Sequence, residues 1–88
     1  MLIPHYQKSF KKDSKKLSTL QKEKAKVVID DLINANPLDK SLQDHLLIGN
    51  YKGYRECHIE PDLLLIYKIE DDILKLFRIG SHSNLYKN

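Results

Sequence analysis

At 88 residues the chain holds one domain and leaves no room for a second, and 41% apolar with 31% charged residues is the balance of a folded globular chain, not a disordered one. A single cysteine, Cys57, excludes an internal disulfide framework and fits a reducing compartment, and no apolar run approaches the ~20 residues of a membrane-spanning helix. The formal charge of +3 is unevenly placed: residues 1–26 carry eight lysines against two acids, net +6, and residues 27–88 carry seven basic against ten acidic side chains, net −3.

In chain order, Leu2 to Tyr6 is a short apolar stretch whose Pro4 suits an edge strand and not a central one. Before it, and through MLIPHYQKSF, there is no apolar core of a signal peptide, so the expected location is the cytoplasm, with no membrane partner. A helix is predicted from about Gln7 to Leu17, with Phe10 and Leu17 seven apart on one face and lysines over the rest. Ser18 or Thr19 can cap a second helix, and Ser18 with Gln21 has the spacing of a capping box. In that helix Ala25, Val28, Ile29 and Leu32 follow the i, i+3, i+4, i+7 template. It ends at Asn34-Ala35-Asn36-Pro37, because the residue before a proline avoids helical dihedrals.

Leu38 to Asn50 reads as a loop carrying Asp44-His45, and Gly49 to Gly53 lacks the pattern of a phosphate loop. Three strands follow. Tyr54 to Ile59 alternates, with Cys57 and Ile59 opposite Glu56 and His58. Leu63 to Ile69 is almost continuously apolar, the pattern of a central strand buried on both faces. Glu70-Asp71-Asp72 turns into Ile73 to Ile79, whose expected alternation sets Leu74, Leu76 and Arg78 opposite Ile73, Phe77 and Ile79; Gly80 ends it and a tail runs from Ser81 to Asn88. The predicted class is α+β: an N-terminal edge strand, a two-helix hairpin, and an antiparallel three-strand meander packed against the helices, over residues 1–88 as one domain.

An antiparallel meander brings the end of its first strand beside the start of its second, with the end of the third at the same sheet edge about 10 Å away. That places His58, Asp62 and His82 together, with Arg78 and Tyr86 close by and His45 within reach from the entering loop. Histidines titrating near neutral pH can take and give protons, and an arginine can stabilise charge growing on a phosphate, which is the set that metal-free RNA cleavage needs. Two histidines and a carboxylate can alternatively make a facial metal site, but no HxH or HxxxH pair is present, so no metal and no cofactor is expected. The bland alternative is a set of ordinary strand-end side chains. Cys57 lies on the apolar side and packs rather than reacts; Arg55 pairs with an acidic neighbour or binds phosphate. The basic third is either a solvated helix face or a surface for a polyanion.

Asp44-His45, the stretch Gly53-Tyr54-Arg55-Glu56-Cys57-His58-Ile59-Glu60-Pro61-Asp62, Leu65-Ile66-Tyr67 and the run from Arg78 to Tyr86 together resemble the YafQ branch of the RelE/ParE toxin superfamily. The joint signal is HxxPD after YRE, paired with RxGSHxxLY near the C-terminus. The resemblance implies a bacterial toxin of a type II toxin–antitoxin pair. It implies a ribosome-dependent mRNA endoribonuclease, with a cognate antitoxin, the ribosome and mRNA as partners. It makes His45, His58, Asp62 and His82 the catalytic set: His82 the general acid, Asp62 or His58 the aid to deprotonation, His45 a phosphate-positioning group. Arg78 would stabilise transition-state charge and Tyr86, where relatives often have phenylalanine, would orient a base or the phosphate. Lys8, Lys11, Lys12, Lys15, Lys16, Lys22 and Lys26 would contact RNA, or dock an acidic antitoxin that folds on binding. Leu63 stands where a relative has tryptophan, and the chain continues past the aromatic to Lys87 and Asn88. The competing functions are a ParE-like gyrase inhibitor, which has no use for acid–base groups, and a catalytically retired toxin that survives as an antitoxin-binding partner or DNA co-repressor.

Overall fold

Every residue from Leu63 to Tyr67 is buried, which an alternating strand can achieve only when both faces of its sheet are covered. The computed structural model describes residues 1–86; Lys87 and Asn88, the end of the expected tail, lie outside the described residues. The elements are β1 (Ile3–Tyr6), α1 (Lys8–Ser14), α2 (Thr19–Ile33), β2 (His45–Leu46), β3 (Arg55–Glu60), β4 (Leu63–Glu70), β5 (Ile73–Gly80) and α3 (His82–Leu85), with single 3-10 turns at Lys40–Leu42 and Gly49–Tyr51. The strands form one sheet in the order β1-β5-β4-β3-β2. The expected meander is its centre; β1 adds to one edge parallel to β5, and β2 to the other antiparallel to β3. Leu38–Asn50, expected as a loop with a short turn of structure, holds the turn at Lys40–Leu42 and, beyond that expectation, β2.

On one face α1 and α2 lay Phe10, Ala25, Val28, Ile29 and Leu32 against Cys57, Leu63, Leu65, Tyr67, Leu74, Leu76 and Ile79. On the other face Leu64, Ile66 and Leu85 form a smaller cluster with Leu47, Tyr51, Tyr54, Phe77 and Tyr86. α3 and the loop before β3 supply that second cover, so the helices are not confined to one side.

The Ser18–Gln21 capping box is present in full: the Ser18 hydroxyl accepts from the Gln21 amide and the Gln21 side chain accepts from the Ser18 amide. It also explains why α1 stops three residues early. The capping residue must be extended, at ψ 164°, so the residues before it close as a turn through Lys16 N–H to Asp13 C=O and Leu17 N–H to Ser14 C=O. Leu17 still packs against the core.

Two departures from strand regularity matter for the site. Beyond Tyr6 there is no β1 left to pair with β5, and α1 takes over: the Gln7 amide donates to Leu76 C=O, the Ser9 hydroxyl to Phe77 C=O, and the Asp13 carboxylate accepts from the Ile79 amide. A bulge then inserts Phe77, since Tyr67 pairs with Leu76 but Ile66 pairs with Arg78. The extra residue reverses the alternation. Ile79 joins Leu74 and Leu76 on the helix side, and Arg78 crosses to the face of Ile66, correcting the predicted grouping.

Leu65→Ala, at a wholly buried central position, should cost about 2–5 kcal/mol, against about 1 kcal/mol for Ser18→Ala. Urea unfolding with an unchanged m-value measures both, and a reversal of that order would contradict the two-layer core.

Candidate active site

β3 alternates, so Cys57 and Ile59 face the helices while Glu56 and His58 face the opposite side. Residues directly across neighbouring strands share a face. Glu56 lies opposite His45 in β2 and opposite Ile66 in β4, and Ile66 lies opposite Arg78 in β5. His45, Glu56, Ile66 and Arg78 therefore form one row across four strands, and His58 leads the adjoining row with Leu64 and Gly80.

The Glu56 side chain is buried, 5% exposed, and a lone buried carboxylate is strongly destabilising. It is not alone. His45 Nε2 lies 3.5 Å and His58 Nε2 3.4 Å from its Oε1, and the Tyr86 hydroxyl donates to its Oε2. Burial first, and the Glu56 carboxylate second, push the Tyr86 phenol well above the ordinary tyrosine range. His45 Nδ1 is 2.6 Å from the Gln43 carbonyl oxygen. A carbonyl can only accept, so Nδ1 carries the hydrogen and Nε2 is the nitrogen turned to Glu56.

His82 opens α3, which Ser81 caps through its hydroxyl and the Asn84 amide. One Asp62 oxygen accepts from the His82 amide at 2.9 Å. Asp62 thus holds the main chain of His82 and does not stand among the imidazoles. The His82 ring lies 4.8 Å from the Tyr86 ring one helical turn later. Tyr51 packs edge-on against Tyr86, ring centroids 5.5 Å apart, and donates its hydroxyl to Leu85 C=O.

Arg78 shares the row but its fork is engaged: Nε and Nη2 donate to the Asp13 carboxylate at 2.6 and 3.2 Å. That pairing, above all, raises the guanidinium pKa further. His45, His58 and Tyr86 gather on Glu56, His82 joins through Tyr86 and Asp62 through His82. Glu56, Asp13 and Tyr51 were not singled out from the sequence. Glu56 had a signal, its place on the His58 face; Asp13 had none, lying 65 residues from Arg78.

Lys8, Lys11, Lys12, Lys15, Lys16, Lys22 and Lys26 are all exposed, and among the described residues none is in an ion pair. Arg55 pairs with Asp44. Cys57 is buried on the helix side, and burial, then the Asp44 and Glu56 charges, push its thiol up to about 12. Among the described residues no group of three or more His, Cys, Asp or Glu side chains could hold a metal ion.

Residues 2–87 match the family model described as the bacterial toxin of the type II toxin–antitoxin system, YafQ. The mRNA interferase toxin YafQ of Escherichia coli K12 is 40% identical over 84 residues, covering 92% of this chain and 91% of that protein. A copper-bound mutant toxin from Helicobacter pylori superposes with a TM-score of 0.88 at 46% identity, over 98% of this chain and 100% of that one. The toxin fold in the Escherichia coli DinJ–YafQ complex gives a TM-score of 0.82 at 36% identity, over 98% and 99%.

Native Cys57 should resist iodoacetamide at pH 8 and react only after denaturation, as mass spectrometry can follow. Because both burial and the carboxylate disfavour the phenolate, Glu56→Gln should bring the Tyr86 titration down towards the normal tyrosine range. An ultraviolet pH titration of the two proteins tests this, and identical curves would remove Glu56 as the partner.

Proposed function

The chain belongs to the YafQ family of type II toxin–antitoxin toxins, and we propose that it is an mRNA endoribonuclease that works by acid–base chemistry on ribosome-bound message. The observation that carries this reading is the buried Glu56 carboxylate shared by His45, His58 and Tyr86.

RNA carries its own nucleophile beside each phosphate. A proton leaves O2′, the O2′–phosphorus bond forms, the phosphorus–O5′ bond breaks and a proton reaches O5′. The products end in a 2′,3′-cyclic phosphate and a 5′-hydroxyl. His58 serves as the base, and Glu56, at 3.4 Å, stabilises the imidazolium that results. His82 is the acid that protonates O5′. Arg78, steered by Asp13, supplies positive charge for the phosphate, and His45, steered by Glu56, positions it. Asp62 fixes the His82 backbone, and Tyr86 covers Glu56 while offering a ring face to a base. The seven free lysines hold RNA phosphates irrespective of sequence. A cognate antitoxin is the proposed protein partner, and the cytoplasm, where ribosomes carry mRNA, the proposed place of action. No helix among the described residues is long and apolar enough to cross a membrane.

Primer extension on mRNA in a translating extract should reveal new 5′ ends with wild-type protein. Loss of one acid–base group typically costs about 10²–10⁴ in rate, and His82→Ala should fall by that amount. Cleavage should persist in phenanthroline with magnesium retained for the ribosome; loss restored by zinc or copper would replace the acid–base account with a metal one. Intact mRNA together with inhibited gyrase supercoiling would overturn the proposal.

A further inference from the structure

β2 is only two residues long and both are exposed. A strand so short has little to hold its register, and a one-residue slip would turn His45 away from Glu56. What anchors it lies on the other face of the sheet. Asp44, the residue before His45, receives 2.5 Å from the Tyr67 hydroxyl to its Oδ1. It also receives Arg55 Nη2 at 3.1 Å and Arg55 Nε at 3.3 Å to each oxygen. Arg55 and Tyr67 are themselves directly opposite each other in β3 and β4.

Tyr67 is 1% exposed and otherwise surrounded by the apolar helix-side core. A phenylalanine would fill that position without a hydroxyl to satisfy, and burying a hydroxyl is unfavourable unless it is hydrogen-bonded. Its hydroxyl reaches out of the core to the segment that bears His45. Gln43, on the far side of Asp44, sits in the left-handed region at φ 50° and directs its carbonyl to His45 Nδ1. Side chains of successive extended residues point to opposite faces, so a clamp on Asp44 aims His45.

We propose that Asp44, clamped by Tyr67 and Arg55, is a positioning residue that holds His45 against Glu56. This rests on the endoribonuclease reading for its kinetic consequence, though not for its geometry. Tyr67→Phe keeps the ring in the core and removes only the hydroxyl; Arg55→Lys keeps the charge and removes the fork.

Single-turnover cleavage of ribosome-bound mRNA by wild type, Tyr67→Phe, His45→Ala and the double variant tests the clamp, with thermal unfolding alongside. Tyr67→Phe should lower the plateau rate about 10- to 100-fold and leave the half-saturating protein concentration and the unfolding midpoint nearly unchanged. In the double variant it should add nothing to the loss from His45→Ala. Equal losses in both backgrounds, or full activity of Tyr67→Phe, would overturn the proposal. The His45 imidazole ¹H–¹⁵N resonances give a second readout independent of cleavage. They should shift in Tyr67→Phe and in Arg55→Lys, and unchanged resonances would sink the clamp even if wild type cuts RNA. If wild type fails to cut mRNA while the resonances shift, the endoribonuclease reading fails and the clamp stands.

Discussion

Five consecutive buried residues at the centre of the sheet, Leu63 to Tyr67, set the terms for everything around them. In a strand that run demands two covers, and a chain of this length has only one helical hairpin to offer. The hairpin takes the face of Leu63, Leu65 and Tyr67. The opposite face, with Leu64 and Ile66, is closed by Leu85, Tyr51 and Tyr86 from the shortest elements of the fold. The same segments carry the candidate chemistry: the residues that complete the second core bring Tyr86 onto Glu56 of β3, with the His82 ring beside it. Site and second core are one construction, and loosening one loosens the other.

Within that construction Glu56 is the electrostatic centre. A carboxylate at 5% exposure is tolerable only with charge or hydrogen-bond partners on most of its lone pairs. The Tyr86 phenol supplies a hydrogen bond, and two imidazole nitrogens lie within 3.5 Å. The arrangement limits where the rings can turn. Arg78 repeats the device at the other end of the row, with Asp13 as its partner. His45 and Arg78 are thus each oriented by an acid on a different element, which leaves the site little conformational freedom to lose when a substrate binds.

Much of the fold was legible because its signals are local. The capping box at Ser18, the apolar stripe of α2 and the unbroken run of β4 each express a spacing within one element. Meander geometry alone set Asp62 beside His82, where the contact is to the His82 backbone, and not in a cluster with the His58 ring. The failures arose where distant residues decide. α1 is shortened by the cap that follows it, and the bulge at Phe77 depends on pairing between β4 and β5, so simple alternation placed Arg78 on the wrong face. β2 exists only because β3 offers an edge to His45 and Leu46. Glu56 was placed only on the His58 side of β3, since its burial depends on Tyr86, 30 residues away.

The sequence by itself determined the class of fold and the chemical types available: three histidines, an aspartate, an arginine and a tyrosine. Those follow from periodicity and composition, which act over a few residues. Only the tertiary structure decided which of them meet. It buried Glu56 among two histidines and Tyr86, gave Asp62 to the backbone of His82, tied Arg78 to Asp13 and anchored His45 through Asp44 to Tyr67. Each pairing depends on which faces are covered and by what, and burial is a property of the whole packed chain, written in no single stretch of it.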